Sequence, residues 1–384
     1  MKTPIRTPSR GRKTSSAADP DSAAEIASPD ASLAERAPIE HRGLIYPLGR
    51  AGPDYGEVIA LADGVGWTRL PVPGPLNHIN IWLLDDPGSG SGAGGDGVAI
   101  VDTGLDIPPS REAWEKLLAG QTITRVIVTH FHPDHLGLAG WLCERFGVRL
   151  WMTRGEWLFA RMLTADVRDA PPPEALAYWR LAGWSEEAIA EEAAKGWGRF
   201  ASVVSPVPLS FRRMEEGDVV RSGRRDWRVV IGSGHCPEHA CLVDDAGKLL
   251  IAGDQVLPRI TSNVSLSLSE PEADPLGDWL ASIAKLRTLP ADLLVLPSHG
   301  EPFTGLHTRL DKLAEGHMGR LDALHAHLAE PRRATDCFGV LFARAVGDHI
   351  GLATGEALAH LRHLEATGRA VREEQAGVAW FRAA

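Results

Sequence analysis

Thr129-His130-Phe131-His132-Pro133-Asp134-His135-Leu136-Gly137 decides how this chain is read. Residues 130–135 carry three imidazoles and one carboxylate. The stretch follows Arg125-Val126-Ile127-Val128, an apolar and β-branched run that reads as a buried strand. It precedes Leu138-Ala139-Gly140-Trp141-Leu142, where a helical pattern begins. The cluster therefore falls at the C-terminal end of a strand, where α/β sheets place their sites. Neutral imidazole and carboxylate are the usual ligands of zinc and its neighbours. His130 and His132 alternate by two, so an extended turn can point both at one ion. Asp134 and His135 begin a new turn and can face a second. A polar loop with satisfied side chains would explain one histidine; four ligand-type residues at this spacing favour a metal.

Working outward, ligand-type residues recur after other apolar strands. Asp102 follows Val98-Ala99-Ile100-Val101, and His235 follows Trp227 to Ile231 in Gly234-His235-Cys236-Pro237-Glu238-His239. Asp254 follows Lys248 to Ala252, and His299 follows Leu293 to Pro297. If these strands belong to packed sheets, their ends converge on one rim. His130, His132 and His235 would hold one ion, Asp134, His135 and His299 a second, and Asp254 can bridge both. Two ions about 3.5–4 Å apart would polarise an acyl oxygen and lower the pKa of a bound water towards neutrality.

The motifs, His130-Phe131-His132-Pro133-Asp134-His135 foremost, resemble those of the metallo-β-lactamase superfamily. The match extends to Asp102 in Val-Asp-Thr-Gly, His235 in Gly-His-Cys-Pro-Glu-His, Asp254 in Ala-Gly-Asp-Gln and His299 in Pro-Ser-His-Gly. Carrying both Asp134 and His135 is similar to glyoxalase II and related lactamase-β-2-like hydrolases. The resemblance covers about residues 60 to 305 and implies an α/β fold, the αβ/βα metallo-β-lactamase sandwich. It also implies a dinuclear hydrolase in which a metal-bridging hydroxide attacks an acyl bond of a thioester, ester or lactone. In it Asp134 is the catalytic residue that orients the hydroxide, and His130, His132, Asp134, His135, His235, Asp254 and His299 are the metal ligands. Asp102 supports the ligand loop by hydrogen bonds, and His239 is read as a supporting or structural residue. The expected cofactors are two divalent metal ions, zinc first, with iron or manganese also suited to the ligands. His78 lies outside the motifs and reads as a plain surface or core histidine. Cys236 is not needed as a nucleophile.

The remaining chain frames this site. Residues 1–40 are rich in Ser, Ala, Pro and charge and are expected to form a disordered tail. Residues 41–305 form the expected catalytic domain. Trp67 to Leu70 and Asn77 to Leu84 read as strands, and Gly88 to Gly97 as a flexible hairpin loop. Residues 110–119 read as a helix capped by Ser110. Residues 155–200 read as helices broken by Pro171-Pro172-Pro173 and carry Trp157, Phe159, Tyr178, Trp179, Trp184, Trp197 and Phe200. These aromatics read as core, with a flap over the substrate as the alternative. Residues 306–384 show helical patterns over 306–329, 335–346 and 354–368 and then two short strands. That is the layout of a small winged-helix-like domain, which resembles the tail of some lactamase-β-2-like members. Glyoxalase II proteins end instead in a helical domain that holds glutathione, so glutathione recognition does not follow. The histidines His307, His317, His325, His327, His349, His360 and His363 show no ligand order and read as solvated helix faces.

Bulk properties narrow the partners. The chain has 384 residues, 44% hydrophobic and 23% charged, with a formal net charge of -10 and a pI near 5.8. Nucleic acid and anionic membranes are disfavoured as main partners, and no apolar run approaches the roughly 20 residues that span a bilayer. Cys143, Cys236, Cys241 and Cys337 form no C-x-x-C pair, which suits free thiols and a cytoplasmic setting. The expected partner is a small acyl substrate, with homodimerisation through the C-terminal domain. The alternative function is a metal-dependent ribonuclease of the lactamase-β-2-like type. Against it, residues 306–384 hold ten Lys+Arg and ten Asp+Glu and so present no basic footprint.

Overall fold

The computed structural model describes residues 37–87, 97–342 and 346–384. Most of the tail expected over 1–40, and most of the loop expected over 88–97, lie outside the described residues.

A two-stranded hairpin, β1 (Ile39–His41) and β2 (Leu44–Tyr46), opens the described chain. A seven-stranded sheet follows, built in chain order from β3 (Ile59–Ala62), β4 (Val65–Pro71), β5 (His78–Asp85), β6 (Val98–Val101), β7 (Ile123–Ile127), β8 (Leu150–Met152) and β9 (Phe211–Arg213). The β3–β6 pairs are antiparallel and the β6–β9 pairs parallel. A five-stranded sheet contains β10 (Val219–Ser222), β11 (Arg225–Gly232), β12 (His239–Asp244), β13 (Leu249–Gly253) and β14 (Leu294–Pro297). It is antiparallel up to β13, and β14 joins parallel to β13.

Alternation along the strands creates the layers, because successive strand residues face opposite sides of a sheet. In β5, Trp82 and Leu84, with Trp67 of β4, face the second sheet, where Trp227, Leu242 and Ile251 complete a buried inter-sheet core. Ile79, Ile81 and Leu83 face outward into a core covered by helices. Likewise Ala240 and Leu242 of β12 point between the sheets, and Cys241 and Val243 point to the outer face. Two sheets back to back with helices outside make the αβ/βα sandwich.

The first sheet is covered by α1 (Pro108–Leu117), the short α2 (Pro133–Leu136), α3 (Ala139–Phe146) and α4 (Arg154–Ala165). The helix expected over 110–119 starts earlier than its Ser110 cap. Pro108 and Pro109 occupy its first positions, and Ile107 is the N-cap with no side-chain cap bond. Proline is preorganised for the first turn and loses no hydrogen bond there, so Ser110 lies buried inside the helix instead. The insert continues with α5 (Pro173–Leu181), α6 (Glu186–Ala193) and a 3-10 turn, Arg199–Val203. Its aromatics divide: Trp157 stacks on Phe211, and Trp179 stacks on Trp184, whereas Phe159 and Phe200 turn toward Phe131.

The second sheet is covered by α7 (Pro275–Leu286), whose N-cap Asp274 accepts from Gly277 N–H, and by α8 (Leu306–His327). A 3-10 turn (Ala334–Cys337), α9 (Phe338–Leu341), α10 (Ile350–Ala366) and the hairpin β15 (Ala370–Gln375)–β16 (Val378–Ala383) complete the chain. Among the described residues of the helix expected over 335–346, the structure forms this 3-10 turn and one α-turn. Gly339 and Val340 are weak helix formers.

The C-terminal elements do not enclose a core of their own. Leu310, Leu321, Leu358 and Phe381 share one buried cluster with Trp279 and Ile283 of α7 and with Val264 and Leu266. Much of the apolar surface of this segment is thus covered within the chain, while Met318, Leu352 and Val371 are exposed. The reading of its histidines as solvated is corrected for two of them. His317 and His360 are fully buried, with His317 Nδ1 3.3 Å from His360 Nε2. At helix spacing a core-facing histidine cannot be told from a solvent-facing one unless the covering element is known.

Candidate metal centre

Parallel pairing brings the ligand-bearing strand ends to one rim. Asp102 N–H donates to Ile127 O across β6–β7, and Ser298 N–H donates to Gly253 O across β13–β14. His130 to His135, His235, Asp254 and His299 all meet there.

His130 Nε2 lies 2.8 Å from His132 Nδ1, His132 Nδ1 3.0 Å from His235 Nε2, and His235 Nε2 3.3 Å from His130 Nε2. On the other side, Asp134 Oδ2 lies 3.3 Å from His299 Nε2 and 3.8 Å from His135 Nε2. Asp254 stands between. Its Oδ1 is 3.5 Å from both His135 Nε2 and His299 Nε2, and its Oδ2 is 3.6 Å from His235 Nε2. Three ligand groups emerge: His130 with His132 and His235; Asp134 with His135 and His299; and His130 with His135 and Asp254. The first two groups bring together the residues that the sequence reading assigned to each ion; the third, which joins His130 and His135 to Asp254, was not expected.

The donor set fits divalent cations. Three imidazole nitrogens converge on one point, and lone pairs turned on one another in a buried place are costly unless a cation receives them. His135 Nε2, Asp254 Oδ1 and His299 Nε2 are buried and have no hydrogen-bond partner. Electrostatics point the same way. Burial and then the neighbouring imidazole of His235 push His132 down to about 3, and burial with surrounding imidazoles holds His130 well below its ordinary value. Both are therefore neutral, as ligands must be. Burial alone would raise Asp134, but His135 and His299 outweigh it and hold its carboxyl at about 2. His135 is raised well above its ordinary value, because Asp102, Asp134 and Asp254 outweigh its burial. These carboxylates require positive charge in their midst.

Supporting residues set which nitrogen faces the centre. Asp102, at φ 64°, accepts from Thr129 N–H at 2.8 Å and binds His135 Nδ1 at 2.7 Å. His235 Nδ1 donates to Asn263 O at 2.7 Å, and His299 Nδ1 donates to His78 O at 2.7 Å. His239 is buried, and its Nε2 accepts from Asp254 N–H at 3.1 Å. Only glycine at 253 permits that: a Cβ there would lie 2.4 Å from the His239 ring, at φ 53°. His239 therefore supports Asp254 and lies outside the three ligand groups.

Three supports were not foreseen. Glu156 of α4 is fully buried and accepts from Phe131 N–H at 2.9 Å and from Glu238 N–H at 2.6 Å. It ties the two ligand loops together. Asn80 of β5 accepts from Trp67 Nε1 and donates to Pro297 O and Gly300 O, which clamps the loop carrying His299. His78, read as a plain histidine, supplies the carbonyl that orients His299, and its Nε2 accepts from Gly300 N–H. No local pattern marks a glutamate in a helix or an asparagine in a strand for such a role. A polar residue amid the apolar run of β5 was the one available signal.

Aromatic rings pack beside the centre and form an apolar wall. The Phe131 ring lies 4.6 Å from the His132 ring, 5.3 Å from Phe159 and 6.3 Å from Phe200. Leu158 and Met162, on the same helix as Phe159, are exposed.

Comparisons with known proteins agree with this geometry. The sequence pattern described as "Metallo-beta-lactamase superfamily" matches residues 74–299. One described as "Metallo-beta-lactamase-like, C-terminal domain" matches residues 321–384. The crystal structure of a beta-lactamase domain protein from Burkholderia ambifaria is 40% identical, with a TM-score of 0.81, over 89% of this chain and 98% of that one. A probable metallo-hydrolase, YqjP, of Bacillus subtilis (strain 168) is 23% identical over 78% of this chain and 91% of its own length. The acyl-coenzyme A thioesterase MBLAC2 of Gallus gallus is 26% identical over 69% of this chain and 87% of its own length.

Proposed function

The chain belongs to the metallo-beta-lactamase superfamily and is a metallo-hydrolase, and we propose that it cleaves acyl thioesters with two zinc ions. The observation that carries this reading is the pair of ligand groups joined by Asp254 beside the apolar wall of Phe131, Phe159 and Phe200. A thioester pairs a carbonyl for the ions with an acyl chain for the wall. The similarity to an acyl-coenzyme A thioesterase supports the choice of thioester over lactone or simple ester.

Bound divalent ions would polarise the acyl carbonyl and lower the pKa of water towards neutrality. The rest falls to the chain itself. His130, His132 and His235 would hold one ion, and Asp134, His135 and His299 the other, with Asp254 placed between the two groups. Asp134, ionised at neutral pH, orients the attacking water through its carboxylate. Asp102, Glu156 and His239 keep the ligand loops in register. Phe131 and Phe159 exclude water from the acyl side of the scissile bond. The C-terminal segment belongs to the same body as the site, because much of its apolar surface is buried against α7. We place the protein in the cytoplasm, where its four buried free thiols stay reduced. Among the described residues no helix is long and apolar enough to cross a membrane.

The test is a substrate panel on protein of measured metal content: acyl-coenzyme A, S-acylglutathione, lactones, β-lactams and single-stranded RNA. Thioester turnover that follows zinc content is expected. RNA cleavage without thioester turnover would sink the proposal in favour of the ribonuclease.

A further inference from the structure

We propose that Glu356, in the C-terminal helix α10, is a positioning residue for the metal centre, acting through Asn263 on His235. The inference rests on the reading of His130, His132 and His235 as metal ligands.

His235 can offer Nε2 to an ion only while Nδ1 carries the proton, and that proton is donated to the carbonyl oxygen of Asn263 at 2.7 Å. The same segment reaches the other side of the centre, since Ser262 Oγ donates to the carbonyl of Asp254. Residues 262–266 thus touch two ligand residues, yet they form no helix or strand. Sheet pairing does not hold this segment; side chains and α10 do. Asn263 Nδ2 donates to Glu356 Oε2 at 3.1 Å, and Arg320 of α8 faces Glu356 Oε1 at 3.5 Å. Leu266 N–H donates to Gly355 O at 2.9 Å. Glycine at 355 lets the helix come that close, because a Cβ there would fall 2.6 Å from Ser265 Oγ. From the insert, Tyr178 OH donates to Leu266 O at 2.8 Å. The Glu356 side chain is only 13% exposed, so its carboxylate is desolvated and its bond to the Asn263 amide is correspondingly firm.

A carboxylate that accepts from Asn263 fixes the Asn263 side chain, the Asn263 backbone fixes the His235 ring, and the ring aims Nε2 at the ion. The C-terminal segment is then a component of the metal centre. A packing role alone would require only volume at position 356. A positioning role requires an acceptor.

The experiment titrates metal-free full-length protein with zinc against a chromophoric chelator. Glu356→Met keeps the volume without the acceptor, and Glu356→Gln keeps an acceptor for Asn263. Glu356→Met is expected to weaken one of the two zinc sites by about tenfold or more, and Glu356→Gln to stay within about threefold of wild type. Wild-type affinity in Glu356→Met, or equal losses in both variants, would overturn the proposal. Should Glu356→Met fail to fold, Gly355→Ala serves in its place. Displacement of Ser265 is expected to weaken the same site, and unchanged affinity would again overturn the proposal. Wild-type protein that binds no zinc would instead defeat the metal-centre reading, and this inference with it.

Discussion

His299 donates its Nδ1 proton to the main-chain carbonyl of His78, 2.7 Å away. A carbonyl can only accept, so the bond keeps a proton on Nδ1 and turns His299 Nε2 toward Asp134 and Asp254. The side chain of His78 plays no part in that bond. We expect His299→Ala to lose one metal equivalent and to lower kcat by about a thousandfold, on the order of several kcal/mol of transition-state stabilisation. His78→Ala should keep both metal equivalents. Metal analysis by mass spectrometry and steady-state kinetics check both; loss of an ion in His78→Ala would refute the assignment.

Glu156 joins the two ligand loops through the N–H groups of Phe131 and Glu238. In Glu156→Gln one of the two amides faces an NH2 group instead of an acceptor, inside a fully buried pocket. An unsatisfied buried donor costs about 2 kcal/mol. The variant should unfold at lower denaturant with an unchanged m-value. A denaturation midpoint equal to wild type would remove Glu156 from the support of the centre.

Phe159 stands in the apolar wall beside Phe131. If that wall receives the acyl chain, Phe159→Ala raises KM for long-chain thioesters by about tenfold, the equivalent of about 1.4 kcal/mol of lost apolar contact. Short-chain thioesters should be little affected. An equal rise for acetyl and long-chain substrates would place the chain elsewhere.

The buried pair His317 and His360 makes stability pH-dependent. Burial, then the adjacent His360 and the charge of Arg320, lower His317 to about 3. Burial lowers His360 to about 4, with Arg320 and His363 also acting downward against the bond to Glu356 O. Both values lie below the ordinary 6.5 of an unfolded histidine, so the unfolded chain takes up protons first. Stability is flat above that value and falls as pH drops from 6.5 towards 4, by about 1.4 kcal/mol per pH unit for each group. His317→Leu should make the fall between pH 6 and 4.5 shallower by about that amount per unit. A parallel pair of curves by chemical denaturation would show that His317 takes no part.

Much of the centre was legible in the chain because its ligands are local events. His130, His132, Asp134 and His135 sit in one turn after Val126-Ile127-Val128, and Asp254 and His299 each directly follow a strongly apolar strand. A strand end is visible in sequence, and so is the ligand chemistry placed there. Asn77 to Leu84 likewise announced a strand, since alternation with a period of two is a property of the extended backbone.

The sequence by itself therefore placed the candidate ligands at strand ends and divided them into two groups, and the resemblance of their motifs implied the sandwich. The tertiary structure decided which remote residues hold them: Glu156 across to Glu238, Asn80 to Gly300, and Glu356 to Asn263, 93 positions apart. It also decided that His317 and His360 are core and that the C-terminal helices cover α7. Such contacts have no period and no fixed spacing. They exist only where separately formed elements pack, and nothing in the residues between them records which faces will meet.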